Sequence, residues 1–289
     1  MPDYSRRPFS FIMELMNVTK AILPVAGQGI RLMPITFHQP KGMITVADRP
    51  MIHYIIDELV SAGIKHIIIV TSPDQDQFKK YIDYLHQDPE WKKLNIRFDF
   101  VIQKELRGNA DALLPAQQLI GQDPFLVYFG DDLLLDKISP TKSFIKHFQK
   151  FQSPILSLKK VPKKLISGFG IVKAKKIGDV YKIMDIVEKP KIEDAPSDMG
   201  AMGRYLLTPE IFSYIQKAKE LWSAKREIAV VDVLSLYLKD KKPIYGWLFK
   251  GMHFDGGSKI GLLKANAYFS LHHPEYKKEM RQFVKQILK

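Results

Sequence analysis

An apolar run that ends in a glycine turn, Lys20-Ala-Ile-Leu-Pro-Val-Ala26 followed by Gly27-Gln28-Gly29, constrains this chain most. A short run with no polar alternation predicts a strand covered on both faces, which belongs in a parallel sheet. The surrounding pattern agrees. Met51 to Ala62 carry apolar side chains at helical spacing, with Gly63 as a stop signal. Ile64 to Ser72 reads as a second buried strand, and a helical stretch follows from about Gln75 to His86. Then come a strand over Ile96 to Gln103, a helix from about Asn109 to Ile120 and a strand over Pro124 to Phe129. Strands alternating with helices of this length predict βαβ units with right-handed crossovers. After Pro154, short strands separated by Gly168, Gly170 and Gly178 predict an antiparallel insertion over the carboxyl edge of the sheet. From Tyr268 the pattern is helical and basic. No repeat or long linker divides the chain, so a single α/β domain is expected over residues 18–289.

Composition narrows the chemistry. The 289 residues include no cysteine, which removes disulfides, thiolate zinc sites and cysteine nucleophiles, and fits a reducing compartment. With 44 Lys plus Arg against 31 Asp plus Glu, the net charge is +13. Most of the excess lies between Lys137 and Lys191, where 14 Lys and no Arg meet only Asp179, Asp185 and Glu188. The missing Arg and the lack of interleaved aromatic residues favour a solvated lysine surface with a few phosphate contacts over a nucleic-acid patch. The longest aliphatic runs, such as Ile67 to Val70, fall far short of the ~20 apolar residues of a membrane helix. Arg6-Arg7 and the apolar residues after it briefly resemble a signal peptide, but Glu14 interrupts them and no small-residue cleavage site follows. Residues 1–17 are expected to lie outside the fold.

In open α/β sheets, ligands sit beyond the carboxyl ends of the strands. Ala26-Gly-Gln-Gly-Ile-Arg31 lies at the first such end. The dinucleotide fingerprint fails, because its third glycine is Leu32 here, and no Gly-Lys-Ser/Thr is present. A glycine turn followed by Arg31 and Pro40-Lys41 fits a triphosphate cradle and a plain turn about equally well. Two further constellations bear on that choice. Gly130-Asp131-Asp132 ends one strand, and Asp255 stands in the Gly-bounded segment His253-Phe-Asp-Gly-Gly-Ser-Lys259. Taken singly, each Asp suits a cap or an Asx-turn; together they are the minimum for holding Mg²⁺ on substrate phosphates. Val187-Glu188-Lys189-Pro190 offers an acceptor for sugar hydroxyls and a point charge for phosphate, or simply an exposed pair.

Taken in order, these segments resemble the bacterial UTP–glucose-1-phosphate uridylyltransferases, within the sugar-nucleotide pyrophosphorylases. The matching text is Lys20 to Arg31, Pro40-Lys41-x-Met43, Gln103-Lys-Glu-Leu-Arg-Gly108, Gly130-Asp131-Asp132, Val187 to Pro190, Gly203-Arg-Tyr205 and Asp255-Gly-Gly-Ser-Lys-Ile-Gly261. The resemblance implies a Rossmann-like nucleotidyltransferase fold, with a mainly parallel sheet flanked by helices. It also implies the Mg²⁺-dependent reaction of UTP with glucose 1-phosphate to UDP-glucose and pyrophosphate. Ala26, Gly27 and Gly29 would then lie under the nucleotide, and Arg31 and Lys41 would bind its phosphates. Gln103 and Gly108 would read uracil, with the Gln103 amide donating to O4 and accepting from N3–H. Asp131 and Asp255 would be the metal ligands, Gly170 and Glu188 would hold glucose, and Lys189 the sugar phosphate. The implied enzyme is a cytoplasmic homo-oligomer, dimer or tetramer, with no nucleic-acid or membrane partner.

The chain departs from the family pattern at Ile30 (usually Thr), Phe37 (Lys), Gly42 (Glu), Asn109-Ala-Asp111 (Leu-Gly-His), Ala229 and Val231 (Gln and Thr), and Asp198 (Asn). These positions leave room for a sister pyrophosphorylase using another base or sugar, or a weakly active or non-catalytic regulatory homologue.

Overall fold

The structure is a computed structural model that describes residues 17–136, 139–223 and 226–288. The expected N-terminal extension therefore lies, except for Asn17, outside the described residues. The first half contains β1 (Lys20–Pro24), β2 (Thr45–Val46), β3 (Arg49–Pro50), α1 (Met51–Ser61), β4 (His66–Thr71), α2 (Gln77–Leu85), α3 (Pro89–Lys93), β5 (Arg97–Ile102), α4 (Gln117–Ile120) and β6 (Phe125–Tyr128). The second half adds β7 (Asp132–Leu135), α5 (Pro140–Phe151), β8 (Ile155–Lys160), β9 (Gly170–Ile177), β10 (Val180–Glu188) and β11 (Met199–Leu207). It finishes with α6 (Ile211–Leu221), α7 (Val230–Lys239), β12 (Tyr245–Leu248), β13 (Met252–Asp255), α8 (Lys259–Leu271) and α9 (Lys277–Ile287).

The alternation of the first half holds with one departure. The helix expected from Asn109 is a 3-10 turn over Asp111–Ala116 that leads into the single turn of α4. Pro115 is the reason: it donates no amide hydrogen bond and disfavours α geometry at Leu114.

Among the described residues, nine strands form one mixed sheet in the order β5-β4-β1-β6-β11-β8-β12-β10-β9. β5, β4, β1 and β6 run parallel, whereas β11 is antiparallel to both β6 and β8. The antiparallel insertion is present, and it is hydrogen-bonded into this same sheet through the β9–β10 hairpin. β1 has β4 on one side and β6 on the other, so its carboxyl end is the point where chain direction across the sheet reverses.

Both faces of β1 are covered. Ile22 joins a core with Val127, Phe212 and Leu234, while Ala21 and Leu23 join another with Ile55, Phe78 and Phe148. That double burial explains why the strand shows no polar alternation. Among the described residues no helix is long and apolar enough to cross a membrane.

Candidate active site

The glycine loop after β1 is folded tightly. Gly29 has φ +65°, and a Cβ there would lie 2.8 Å from Thr36 Cγ2 and 3.2 Å from Lys41 Cβ. The Thr36 hydroxyl donates to the Gly29 carbonyl at 2.9 Å and closes the loop upon itself. That closure brings Lys41 back over the glycine turn, with its Cε 3.9 Å from where a Gly27 Cβ would stand. Lys41 Nζ donates to Asp131 Oδ2 at 2.7 Å, with both side chains largely buried. Ile30 and Phe37, where the family pattern has Thr and Lys, are 71% and 68% exposed on the same loop. Neither supplies a polar contact.

The two aspartates meet because β7 and β13 pair. Asp255 stands opposite Asp132 in that ladder, and the Gly256 amide donates to the Asp131 carbonyl at 2.7 Å. Gly257 marks the point of convergence. A Cβ there would lie 2.4 Å from Asp131 Oδ2, 3.0 Å from Arg31 Nη2 and 3.1 Å from Asp255 Oδ1. Only glycine fits between two carboxylates and a guanidinium at these distances. Among the described residues no group of three or more His, Cys, Asp or Glu forms a complete metal cage. The donor set suits a hard cation that takes two protein carboxylates and completes its shell with water and substrate phosphate oxygens.

A buried network backs this pair. Asp132 Oδ2 accepts from the Gly203 amide at 2.9 Å, and Oδ1 accepts from His253 Nε2 at 2.6 Å. On the other side of the ring, Lys159 Nζ donates to His253 Nδ1 at 2.8 Å. Lysine carries donors only, so Nδ1 must be the acceptor and Nε2 the protonated nitrogen. Burial opposes ionisation of Asp132. The His253 hydrogen bond, the charge of Arg204 and the Gly203 amide outweigh it and hold the carboxyl below its usual range. Arg204, only 1% exposed, donates to the Asp132 carbonyl at 2.7 Å and to Glu58 Oε2 at 2.5 Å. Its guanidinium lies 4.2 Å from the centre of the Tyr128 ring.

At the locus expected to hold the sugar, Glu188 pairs with Gly170 across β9 and β10. A Cβ on Gly170 would lie 3.1 Å from Glu188 Oε2 and 2.7 Å from Val231 Cγ2, so the carboxylate sits directly over the glycine. Burial pushes the Glu188 carboxyl up, and the Lys189 charge opposes that rise. Lys189 adopts φ +45°, a left-handed conformation that costs a non-glycine residue ~1–2 kcal/mol. Its amide donates to the Phe169 carbonyl at 3.1 Å, and its ammonium, 60% exposed, stands 3.3 Å from Glu188 Oε1.

At the locus expected to read the base, Gln103 follows β5 and its Nε2 donates to the Gly108 carbonyl at 3.2 Å and towards Asp111 Oδ2 at 3.5 Å. Both partners are acceptors only, which fixes the amide: nitrogen inward, Oε1 outward. Of the two contacts expected with uracil, the amide donor is thus already used within the protein, and the acceptor is free for an N–H. Gly108 has φ +101°, and a Cβ there would lie 2.4 Å from the Ile228 carbonyl. Asn109 Oδ1 accepts from the Val230 amide at 2.8 Å at the start of α7, and Asp111 pairs with Lys219 Nζ at 2.7 Å.

The structure therefore joins Gly27, Lys41, Asp131, Asp255 and Arg31 in one locus, Gly170, Glu188 and Lys189 in a second, and Gln103 with Gly108 in a third. Ala26 is buried at the start of the phosphate loop. Sequence reasoning missed Lys159, His253, Arg204 and Glu58. His253 and Arg204 stand within quoted motif segments, whereas Lys159 is one lysine among 14 in its stretch.

A family model described as nucleotidyl transferase matches residues 20–270. A curated relative from Staphylococcus haemolyticus (strain JCSC1435), named UTP--glucose-1-phosphate uridylyltransferase, is 33% identical over 289 residues, covering 94% of this chain and 99% of its own length. A solved UDP-glucose pyrophosphorylase complexed with UDP-glucose aligns with TM-score 0.80 at 34% identity, over 88% of this chain and 99% of that one. A UTP-bound UGPase from Acinetobacter baumannii aligns with TM-score 0.80 at 30% identity, over 93% of this chain and 99% of that one.

Proposed function

The chain belongs to the nucleotidyl transferase family, and on that premise we propose that it joins UTP and glucose 1-phosphate into UDP-glucose and pyrophosphate. One observation carries the reading: Asp131, Asp255 and Arg31 converge on Gly257, with Lys41 held against Asp131. This locus lies beside the glycine loop at the switch point of the sheet, where a nucleoside triphosphate would be bound.

In the proposed reaction a phosphate oxygen of the sugar phosphate attacks the α-phosphorus in line. The new O–P bond forms as the bond to the β-phosphate oxygen breaks, and the electron pair leaves with pyrophosphate. The sugar phosphate is itself the nucleophile, so no side chain need form a covalent intermediate. Catalysis is positioning plus neutralisation of charge. Arg31 and Lys41 hold the triphosphate, Glu188 over Gly170 orients the sugar hydroxyls, and Lys189 holds the sugar phosphate. Gln103 and Gly108 hold the base. Asp131 and Asp255 would hold Mg²⁺, which supplies further neutralisation of the phosphate oxygens when bound.

The test is pyrophosphate release and product mass across a panel of nucleoside triphosphates and sugar 1-phosphates, with and without Mg²⁺. UDP-glucose formation dependent on Mg²⁺ supports the reading. Turnover confined to another base or sugar would favour a sister pyrophosphorylase, a reading that rests on Asp111 beside Gln103 and Val231 beside Gly170. A homo-oligomer, dimer or tetramer, and a cytoplasmic location complete the proposal; light scattering and cell fractionation test them.

A further inference from the structure

Lys159 is the penultimate residue of β8 and stands opposite Gly200 of β11. Its side chain spans two parts of the site that are otherwise described separately. On one side Nζ donates to His253, which is bonded to Asp132 and lies two residues before Asp255. On the other, Nζ lies 5.1 Å from the centre of the Phe169 ring. Phe169 precedes Gly170, and its carbonyl holds the Lys189 amide.

Three other cations of this region have carboxylate partners: Lys41 has Asp131, Lys189 has Glu188 and Arg204 has Glu58. Lys159 has only a neutral imidazole nitrogen as a hydrogen-bond partner among the described residues. The nearby Asp132 carboxylate is already spent on His253 and Gly203. Burial pulls the Lys159 ammonium below its ordinary range, against the opposing charges of Asp132 and Asp255. A partly desolvated ammonium of this kind is stabilised by an anion that fits the same gap. One N–H is used on His253 and two remain.

We propose that Lys159 is a second binding cation for the sugar-phosphate substrate, its ammonium meeting the phosphate between the Asp132–Asp255 ladder and the Phe169–Lys189 turn. This rests on the uridylyl-transfer reading above. It extends that reading to a residue that no motif marks.

Three variants test it: Lys159→Met, Lys159→Arg and His253→Gln. Each is assayed for KM and kcat with each substrate, for Mg²⁺ dependence, and for thermal stability. Glucose 1-phosphate and UTP binding are measured directly by calorimetry. Lys159→Met is expected to lose about 10- to 100-fold in kcat/KM for sugar phosphate and comparably in direct glucose 1-phosphate binding. UTP affinity should stay within about twofold, and Lys159→Arg should recover part of the loss, since it keeps the charge. Unchanged glucose 1-phosphate binding in a folded Lys159→Met protein would overturn the proposal. So would a loss that appears equally in the Mg²⁺ requirement and is reproduced by His253→Gln, because Lys159 would then only prop the ladder. If the wild type binds no glucose 1-phosphate at all, the sugar-substrate reading fails, and Lys159 is judged by whether Lys159→Met weakens the sugar 1-phosphate that is used.

Discussion

Lys41 donates a 2.7 Å hydrogen bond to Asp131, ninety positions away in the sequence. The bond ties the phosphate loop to the turn after β6. If Asp131 holds the metal as proposed, Lys41 would compete with it for the same carboxylate oxygen and, once displaced, would leave its ammonium free beside the phosphates. Lys41→Met is therefore expected to bind Mg²⁺ several-fold more tightly in the absence of nucleotide, while kcat falls by at least about 100-fold. Calorimetric Mg²⁺ titration with steady-state kinetics separates the two effects; weaker Mg²⁺ binding would contradict the competition.

Asp131→Asn and Asp255→Asn should each abolish Mg²⁺-dependent turnover and leave the circular dichroism spectrum unchanged. Each removes one of the two carboxylates that flank Gly257. Near-normal pyrophosphate release in either variant would remove that residue from the metal site.

Gly257→Ala tests the junction from the opposite direction, by adding an atom. The new Cβ would lie 2.4 Å from Asp131 Oδ2, so the carboxylate must move. A loss of about 1–3 kcal/mol in stability is expected from such overpacking, read as a lowered Tm. A rise in the Mg²⁺ concentration for half-maximal rate should accompany it. Unaltered Mg²⁺ dependence would show that the geometry at Gly257 does not govern the metal.

Base choice follows from the inward amide of Gln103. With Nε2 committed to Gly108 and Asp111, Oε1 is left to accept from N3–H of uracil. Cytosine offers a lone pair at N3 and leaves that acceptor unpaired, at about 1–3 kcal/mol or roughly 5- to 150-fold. UTP should therefore exceed CTP by that factor in kcat/KM. Thymine shares the uracil edge, so poor use of dTTP, also expected, must come from the methyl group or the missing 2′-hydroxyl. Comparable rates with CTP would show that another group reads the base.

Stability should weaken on mild acidification for a reason remote from the site. His147 is buried in α5, and burial lowers its pKa from 6.5, helped by Lys146 and Lys150 and opposed by Asp179. The depressed value means that the unfolded chain binds more protons between the folded pKa and 6.5. The contribution is full above 6.5 and is lost as pH falls below it towards the folded pKa. His66, lowered first by burial, acts with the same sign. His147→Phe should narrow the Tm difference between about pH 7.5 and about pH 5.5. An unchanged difference would assign the acid sensitivity elsewhere.

Periodicity and punctuation made β1, β4, β5, β6 and α1 legible, because a strand or helix buried on defined faces must carry apolar residues at a matching spacing. The glycine loop, Lys41, Asp131, Asp255, Glu188 and Lys189 were legible as short segments whose order resembles a family. What they do to one another was not. Asp131 meets Asp255 only because β7 and β13 pair, a contact across more than a hundred residues that no local pattern encodes. The Gln103 amide takes its direction from two acceptors, Gly108 and Asp111, that meet it only once β5 and the following turn have folded. Among the described lysines of its stretch, Lys159 is set apart by its desolvation and its bond to His253, and both come from packed neighbours, Phe169 and His253, rather than from the residue itself. Residue type and order supplied the chemistry that is possible here. Ladder register, burial and the exclusion of water decided which of those groups share a site, because these depend on distances between segments that lie far apart along the chain.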